Sequence, residues 1–503
     1  MAAEDTRTTA GTPEGPTPPE TPTQLLHRLT SYVPDREWTE PLDDDRVVSD
    51  FQLNDLAHFP MPYKRYDDDL PRVLLPSDLP GAGAPTRAVL AGTAEVPAAA
   101  LDLSGLARLL FLSAGVTRTT VRDGIRVLFR AAGSAGARFP LELYVAVPAG
   151  AGGRDTDVPA GVHWYDPEAH ALVTVGPPPG GSAPSVVVTG VPWRTGWRYR
   201  ERGFRHIYWD AGTMLAQLLA LGDSAGLTAR LFTAFADDEV SALVGADGVR
   251  EFPVAVVALG EGDPALHPTA DAMSGHHDPD AVVFPLVTAA QHAGRRTALE
   301  PELGRGAPVG LLVPGSEDAP VDDVVLRKGS VRRLRADRSV PREALVDAMT
   351  LALRGVDLPH WVGVNAVDGV PTGIHRWPDL TAPVRPLPEA VCREELHRAA
   401  LEQGLAHDAA FVVMSGADLT ELDDHAYREA QLLAGLVEGR LHLVAWSLGL
   451  AASGMTFRDT DLPNLLGTDV AGLLWTCVGV PEYRTRRSGA PGSPAEVTII
   501  WPR

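Results

Sequence analysis

The stretch AGTMLAQLLALGDSAGL (211–227) decides the fold, because its pattern returns as AGLVEGRLHLVAWSLGL (434–450) in the second half of the chain. Both stretches open with Ala-Gly, place apolar residues at helical spacing and close with Gly-Leu. Three more matches keep the same order: VPAGVH (158–163) with VPTGIH (370–375), YRERGF (199–204) with YREAQL (427–432), and DDEVSALVG (237–245) with DTDLPNLLG (459–467). Four ordered matches at nearly constant spacing predict an internal duplication, and the long period indicates two fused domains.

The bulk composition indicates a globular protein of more than one domain. The 503 residues carry a net charge of −21, which argues against a surface for nucleic acid or anionic membranes. The two cysteines, Cys392 and Cys477, lie too far apart in sequence for a metal cluster, and we predict no metal site. No apolar run approaches the ~18 residues that span a bilayer. Residues 1–24 have neither the basic start nor the apolar stretch of a secretory signal, so we expect a cytoplasmic protein.

Composition and periodicity divide the chain into five segments. Residues 1–24, rich in Pro, Thr, Gly and Glu, predict a disordered tail, and residues 25–85 read as an extended arm. A first α/β segment follows at 86–262, with a helix in 101–116, a strand at 141–147, a hairpin in 158–175 and a closing strand near 252–260. Residues 263–320 form a looser connecting region, and 321–503 form the second domain.

Several motifs together resemble the flavin-dependent nitroreductase superfamily, and in detail its SagB-type branch of azoline dehydrogenases. They are LLFLSAGVTR (109–118), GSAGARFPLELYV (133–145), WRYRERGFRHIYWDAGTMLAQLLAL (197–221), LRKGSVRRL (326–334) and VGVPEYRTRR (478–487). The resemblance implies an α+β fold in each domain, a central, mostly antiparallel sheet flanked by helices. It also implies FMN bound at a dimer interface, which two fused nitroreductase-like domains would form within one chain as an intramolecular pseudo-dimer, either monomeric or paired further as a homodimer.

The second half retains the residues that the resemblance assigns to the cofactor's phosphate and ring edge. Two cations and a hydroxyl on one short segment can neutralise a phosphate, and a glycine permits close backbone approach. The expected cofactor-binding residues here are Arg327, Lys328, Ser330, Arg332, the glycine loop Ser453, Gly454 and Met455, and the C-terminal Arg484 and Arg486.

The first half retains the complementary part. Its loop GSAGARFP supplies Ser134, Gly136 and Arg138, whereas the second-half equivalent LRGVDLPHWVGV lacks the small-residue cluster. Conversely, the first half keeps only Arg87 near its counterpart of the phosphate motif. These complementary losses predict a single composite FMN site between the halves.

The resemblance also places a Lys-Tyr pair, implicated in deprotonation, at Arg198 and Tyr199. Tyr199 is our candidate general base, and we expect Arg198 to lower its pKa; Arg202 and Arg205 are further candidates. The implied reaction is oxidation of thiazolines or oxazolines in a precursor peptide, with a cyclodehydratase as a partner. Two alternatives remain open: a generic FMN reductase of nitro compounds or quinones, and a scaffold that only binds the peptide.

Overall fold

The computed structural model describes residues 19–33, 46–48, 51–122, 124–150, 157–314 and 318–501. Most of the predicted tail therefore lies outside the described residues. Its last three residues belong to the first helix, which begins at Pro22 and is capped by the side chain of Thr21.

In the part of the chain that the structure describes, helices and strands alternate through both halves. The helices are α1 Pro22–Leu29, α2 Thr86–Ala91, α3 Leu103–Ala114, α4 Pro192–Tyr199, α5 Gly203–Ser224, α6 Asp237–Val244, α7 Pro285–Ala293, α8 Val321–Arg327, α9 Arg342–Ala352, α10 Glu389–Ala399, α11 Gly404–Asp408, α12 Asp424–Ser447 and α13 Leu462–Leu466. The strands are β1 Arg72–Leu74, β2 Val116–Arg122, β3 Ile125–Arg130, β4 Leu141–Val147, β5 Gly161–Asp166, β6 Ala171–Gly176, β7 Ser185–Gly190, β8 Ala229–Phe232, β9 Phe252–Leu259, β10 His360–Val364, β11 Gly373–Arg376, β12 Arg385–Pro386, β13 Phe411–Ala417, β14 Ala451–Met455, β15 Ala471–Gly479 and β16 Ala495–Glu496.

Two antiparallel sheets confirm the predicted α+β duplication. The first has the order β1-β6-β5-β4-β7-β9-β8, and the second has the order β12-β11-β10-β13-β15-β14. From β6 to β8 and from β12 to β14 the two orders correspond strand for strand, with β8 and β14 at equivalent edges. The remaining strand of the first sheet, β1, comes from the segment predicted as an arm.

The two long helices α5 and α12 pack against each other between the sheets. Nearly every residue of α5 is buried, including the polar side chains of Arg205, Asp210 and Gln217. A Cβ atom built at Gly212 would overlap the backbone of Leu432, and one at Gly435 would overlap that of Trp209. The Ala-Gly pairs that open the repeated stretches therefore allow the helices to cross at backbone contact. One apolar core contains residues of both helices and both sheets.

A third, smaller sheet also joins the halves. Strand β2 pairs antiparallel with β3 and parallel with β16, so a strand from the second half lies beside one from the first. Among the described residues, no helix is both long and apolar enough to cross a membrane.

Candidate active site

The basic segment of the second half meets the small-residue loop of the first half. Helix α8 ends at Arg327, and the side chain of Lys328 enters the contact region between the basic segment and the loop, here called the junction. There Lys328 is only 5% exposed, and its Nζ donates to the Ala131 carbonyl over 3.3 Å. A Cβ built at Gly133 would lie 3.6 Å from Ser330 Oγ. The fold thus brings together these two predicted motifs.

Burial lowers the pKa of the Lys328 ammonium group to about 8. The Glu438 carboxylate acts in the opposite direction, and Arg118 adds to the decrease. Arg118 on β2 donates to the Lys328 carbonyl over 2.8 Å and to the Arg486 carbonyl over 3.0 Å. Arg118 could not be predicted from the sequence, because a lone arginine in a strand carries no motif.

The other predicted cations surround this point near the surface. Arg327 lies 3.6 Å from Asp323, and the Arg486 guanidinium donates to the Glu496 carbonyl over 2.7 Å. The Arg332 amide donates to the Tyr483 hydroxyl, while the Arg332 and Arg484 side chains, like Ser330, are exposed. The result is one buried cation beneath a basic surface, which suits a phosphate that enters from solvent.

The loop 133–139 is held in an uncommon conformation. Gly136, Ala137 and Phe139 have φ values of 58°, 55° and 48°, in the left-handed region that non-glycine residues rarely adopt. Ser134 Oγ donates to Asp210 over 2.5 Å and accepts from the Phe139 amide over 2.8 Å. Its single proton is therefore already engaged, so Ser134 shapes the loop, and direct contact with a cofactor stays a prediction.

Tyr199 and Arg198 lie against this loop at Gly136. A Cβ built at Gly136 would lie 2.6 Å from Tyr199 Oη and 2.8 Å from Arg198 Cδ, so glycine permits the approach. The Tyr199 ring stacks on His206 with ring centroids 4.1 Å apart. Burial raises the pKa of Tyr199 above its ordinary value, and Arg198 lowers it as expected but offsets only part of that increase.

Arg138 packs on two aromatic rings beside the loop. Its guanidinium lies 4.8 Å from the ring centroids of both Phe59 and Trp197, and Nε donates to the Gly136 carbonyl over 3.0 Å. Burial lowers the pKa of Arg138 to about 10. The contacts tie the loop to α4 and to the N-terminal arm, whereas a cofactor contact of Arg138 stays a prediction.

The predicted glycine loop is instead the edge strand β14. Gly454 pairs with Thr476 and is exposed, while Ser453 and Met455 are buried, as the alternation of a strand requires. The prediction of a loop failed because Gly454 weakens a strand signal without preventing pairing. A Cβ at Gly454 would lie 3.1 Å from Glu438 Oε1, so this edge borders the same junction as Lys328.

Two buried carboxyl groups complete the junction, and neither was predicted from the sequence. Asp210 of α5 accepts from Ser134 and from the Ala135 amide at 2.9 Å, and burial raises its pKa to about 7. Glu438 of α12 lies 2.8 Å from His442 and accepts from Thr213 at 2.6 Å. A signal existed: in the aligned repeats, leucines 433 and 215 stand opposite Asp210 and Glu438.

Arg202 and Arg205 do not reach this site. Both pair with Asp459 across the two halves, at 2.8 Å and 2.6 Å. Burial acts to raise the pKa of Asp459, but the two guanidinium groups lower it to about 2. Their role in the structure is to hold the halves and helix α1 together.

The residues at the junction fit a nucleotide with a terminal phosphate. Lys328, Ser330 and Arg332 offer two cations and a hydroxyl, and Gly133 leaves room beside Ser330. Gly454 leaves an open sheet edge, and the Tyr199 hydroxyl lies next to Gly136. Three consecutive steps from Gly133 to Gly136 span at most ~11 Å, which keeps the two ends within reach of one ligand.

Comparisons with known proteins find similar candidate nitroreductases. No family model matches the chain. A candidate nitroreductase of Methanocaldococcus jannaschii is 29% identical over 176 residues, which cover 32% of this chain and 81% of the relative. The crystal structure of a candidate nitroreductase from Anabaena variabilis covers 92% of this chain and 100% of its own, with a TM-score of 0.65 and 21% identity.

Both of these relatives are candidate nitroreductases, and the Anabaena structure shows that nearly the whole chain has the nitroreductase fold. A chain of the E. coli microcin synthetase McbBCD complex, with truncated pro-MccB17 bound, matches at 17% identity over 48% of this chain. Its TM-score of 0.26 is too low for that likeness to carry an argument about substrate.

Proposed function

We propose that this chain is an FMN-dependent dehydrogenase that oxidises thiazolines or oxazolines in a ribosomally made peptide to the aromatic azoles. The observation that carries the proposal is the meeting of the basic segment with the small-residue loop: Lys328 bonds to Ala131, and Ser330 borders Gly133. These motifs come from different halves, and each half lacks the one that the other provides.

Lys328, Ser330 and Arg332 would hold the phosphate of FMN, with Arg118 fixing the backbone beside them. The open edge of β14 at Gly454 would border the ring system. FMN, when bound, supplies a two-electron acceptor for the hydride from the substrate's Cβ. Loop 133–139 would cover the site from the first half and exclude water.

Tyr199 would remove the proton from the substrate's ring Cα, so that proton and hydride together account for the two hydrogens lost. Because burial raises its pKa, Tyr199 is protonated at neutral pH, and Arg198 stabilises the minor tyrosinate form. The rate should therefore rise by roughly tenfold per pH unit until another step limits it. A precursor peptide and a cyclodehydratase that supplies the azoline are the proposed partners.

The test combines colour with product mass. Purified chain incubated with FMN should bind it, and the double variant Ser330→Ala, Arg332→Ala should lose that binding. The control Arg335→Ala should retain it, because that arginine pairs with Asp337 on the exposed surface. With an azoline peptide, each ring should lose about 2 Da.

Two results would contradict the proposal. A chain that takes up no FMN would support the alternative of a peptide-binding scaffold. A chain that binds FMN and reduces quinones or nitro compounds with a nicotinamide donor, but leaves azoline peptides unchanged, is a generic reductase.

A further inference from the structure

The internal duplication relates the junction at the candidate active site to a second place between the two halves, here called the second junction. The connecting segment 300–314, here called the strap, runs across this second junction. It begins on the edge of β8, where the Leu303 amide donates to the Leu231 carbonyl over 2.7 Å and the Glu300 amide donates to the Ala234 carbonyl over 3.1 Å. Its arginine, Arg305, also donates to the Ala229 carbonyl over 3.2 Å and pairs with Asp223 of α5.

The middle of the strap lies against the loop that precedes β10. A Cβ built at Gly355 would lie 2.5 Å from the Gly304 carbonyl oxygen, and one at Gly306 would lie 2.5 Å from the Gly355 amide nitrogen. Both glycines have φ of +71°, so this backbone contact depends on residues without side chains.

The end of the strap reaches α2 and α9. The Val309 amide donates to the Ala91 carbonyl over 3.0 Å, at the end of α2. The amides of Leu312 and Val313 donate to the Asp347 carboxylate at 2.7 Å and 3.0 Å. Arg87, the residue left near the first half's counterpart of the phosphate motif, donates to the Val313 carbonyl over 2.9 Å and pairs with Asp318.

The elements that the strap contacts correspond, through the internal duplication, to the elements that form the candidate active site. Strand β8 corresponds to β14 at the sheet edge, helix α2 corresponds to α8, and the loop before β10 corresponds to loop 133–139 before β4. Aligning the ends of α2 and α8 sets Gly92 opposite Lys328. A Cβ at Gly92 would overlap the guanidinium of Arg354, so this side chain occupies the position of the counterpart cation.

We propose that the strap occupies the place that a second cofactor would otherwise take. It fills the second junction, which corresponds to the candidate active site, and so limits each chain to one flavin nucleotide. The proposal rests on the proposed function for the identity of the nucleotide. The strap touches all three elements whose counterparts form the candidate site, and its partly buried Leu303, Val309 and Leu311 alternate with exposed residues.

The first test uses the native chain. Hydrogen exchange should show the amides of Leu303, Val309, Leu312 and Val313 exchanging at least about tenfold slower than those of the exposed Ala307 and Gly310. Titration with FMN should reach one nucleotide per chain. Two bound nucleotides, or equal exchange rates across the strap, would overturn the proposal.

The second test releases the strap with Leu303→Ser, Val309→Ser and Leu311→Ser. Trypsin should then cut after Arg305 at least about tenfold faster than in the native chain, while FMN affinity at the first junction stays unchanged. The control Glu302→Ser, Ala307→Ser, Leu312→Ser changes exposed side chains and should be cut at the native rate. Equal cleavage of the native and released chains would refute the proposal that the strap is held in the second junction. Protected strap amides in a chain that binds no FMN would support that placement of the strap and refute the proposed function instead.

Discussion

Replacing Asp210 by asparagine should remove a pH-dependent weakness at the junction. Burial raises the pKa of Asp210 from 3.8 to about 7, and the negative charge of Glu438 contributes in the same direction. The folded chain therefore holds this proton more tightly than the unfolded chain does. Its stabilising contribution is complete below about pH 4 and is lost as the pH rises through about 7.

The size of the effect follows from that shift. A difference of about three pKa units corresponds to ~4 kcal/mol in the free energy of unfolding, at ~1.36 kcal/mol per unit. The Asp210→Asn variant has no such proton, so its stability relative to the native chain should increase by up to ~4 kcal/mol between about pH 4 and pH 8.

Urea unfolding of cofactor-free native and variant chains across this range gives the comparison. Taking the difference between the two chains cancels other groups that titrate in the same window, such as Glu201, whose pKa burial also raises to about 7. Ser134→Ala is the matched variant, because the Ser134 hydroxyl lowers the pKa of Asp210 and its loss should move the midpoint to higher pH. A difference that stays constant with pH, or that falls as pH rises, would refute the assignment.

Three further predictions concern the contacts between the two halves and the residues proposed to hold the phosphate. Asp459→Asn leaves buried Arg202 and Arg205 without their carboxylate and should lower the free energy of unfolding by about 3–5 kcal/mol, measured against the exposed control Asp469→Asn. Lys328→Gln should weaken FMN binding by about tenfold to a hundredfold, and native affinity should fall as the pH rises through about 8; unchanged affinity in a titration would exclude Lys328 from the site. Gly212→Ala should cost about 1–3 kcal/mol because its Cβ meets the backbone of α12, whereas Gly81→Ala, with open space around it, should leave the thermal midpoint unchanged.

The duplication could be read from the sequence because helical and strand patterns repeat in order. The Ala-Gly pairs of α5 and α12 marked the long helices, and two corresponding antiparallel sheets follow from the same repeat. Strand β1 escaped prediction because YKRYDDDLPRVLLP has too short an apolar run to signal pairing with β6.

The candidate site was predictable only where residues form local motifs. Lys328, Ser330 and Gly136 stand in recognisable segments, and the fold brings those segments together. Asp210, Glu438 and Arg118 enter the junction from distant elements, so only three-dimensional packing shows their role. The direction of the Tyr199 pKa shift likewise depends on burial, which the neighbouring arginine alone could not indicate.

The backbone contact between α5 and α12 has a consequence for how the two halves could diverge. In a dimer of two identical subunits, every substitution appears in both subunits. Such a dimer cannot lose a residue from one of its two equivalent sites while keeping it in the other. Here covalent linkage presents each half with one fixed neighbour at high effective concentration. Either half can then lose a function that the other supplies, and a gene cut between them should yield fragments that are insoluble apart but active when produced together.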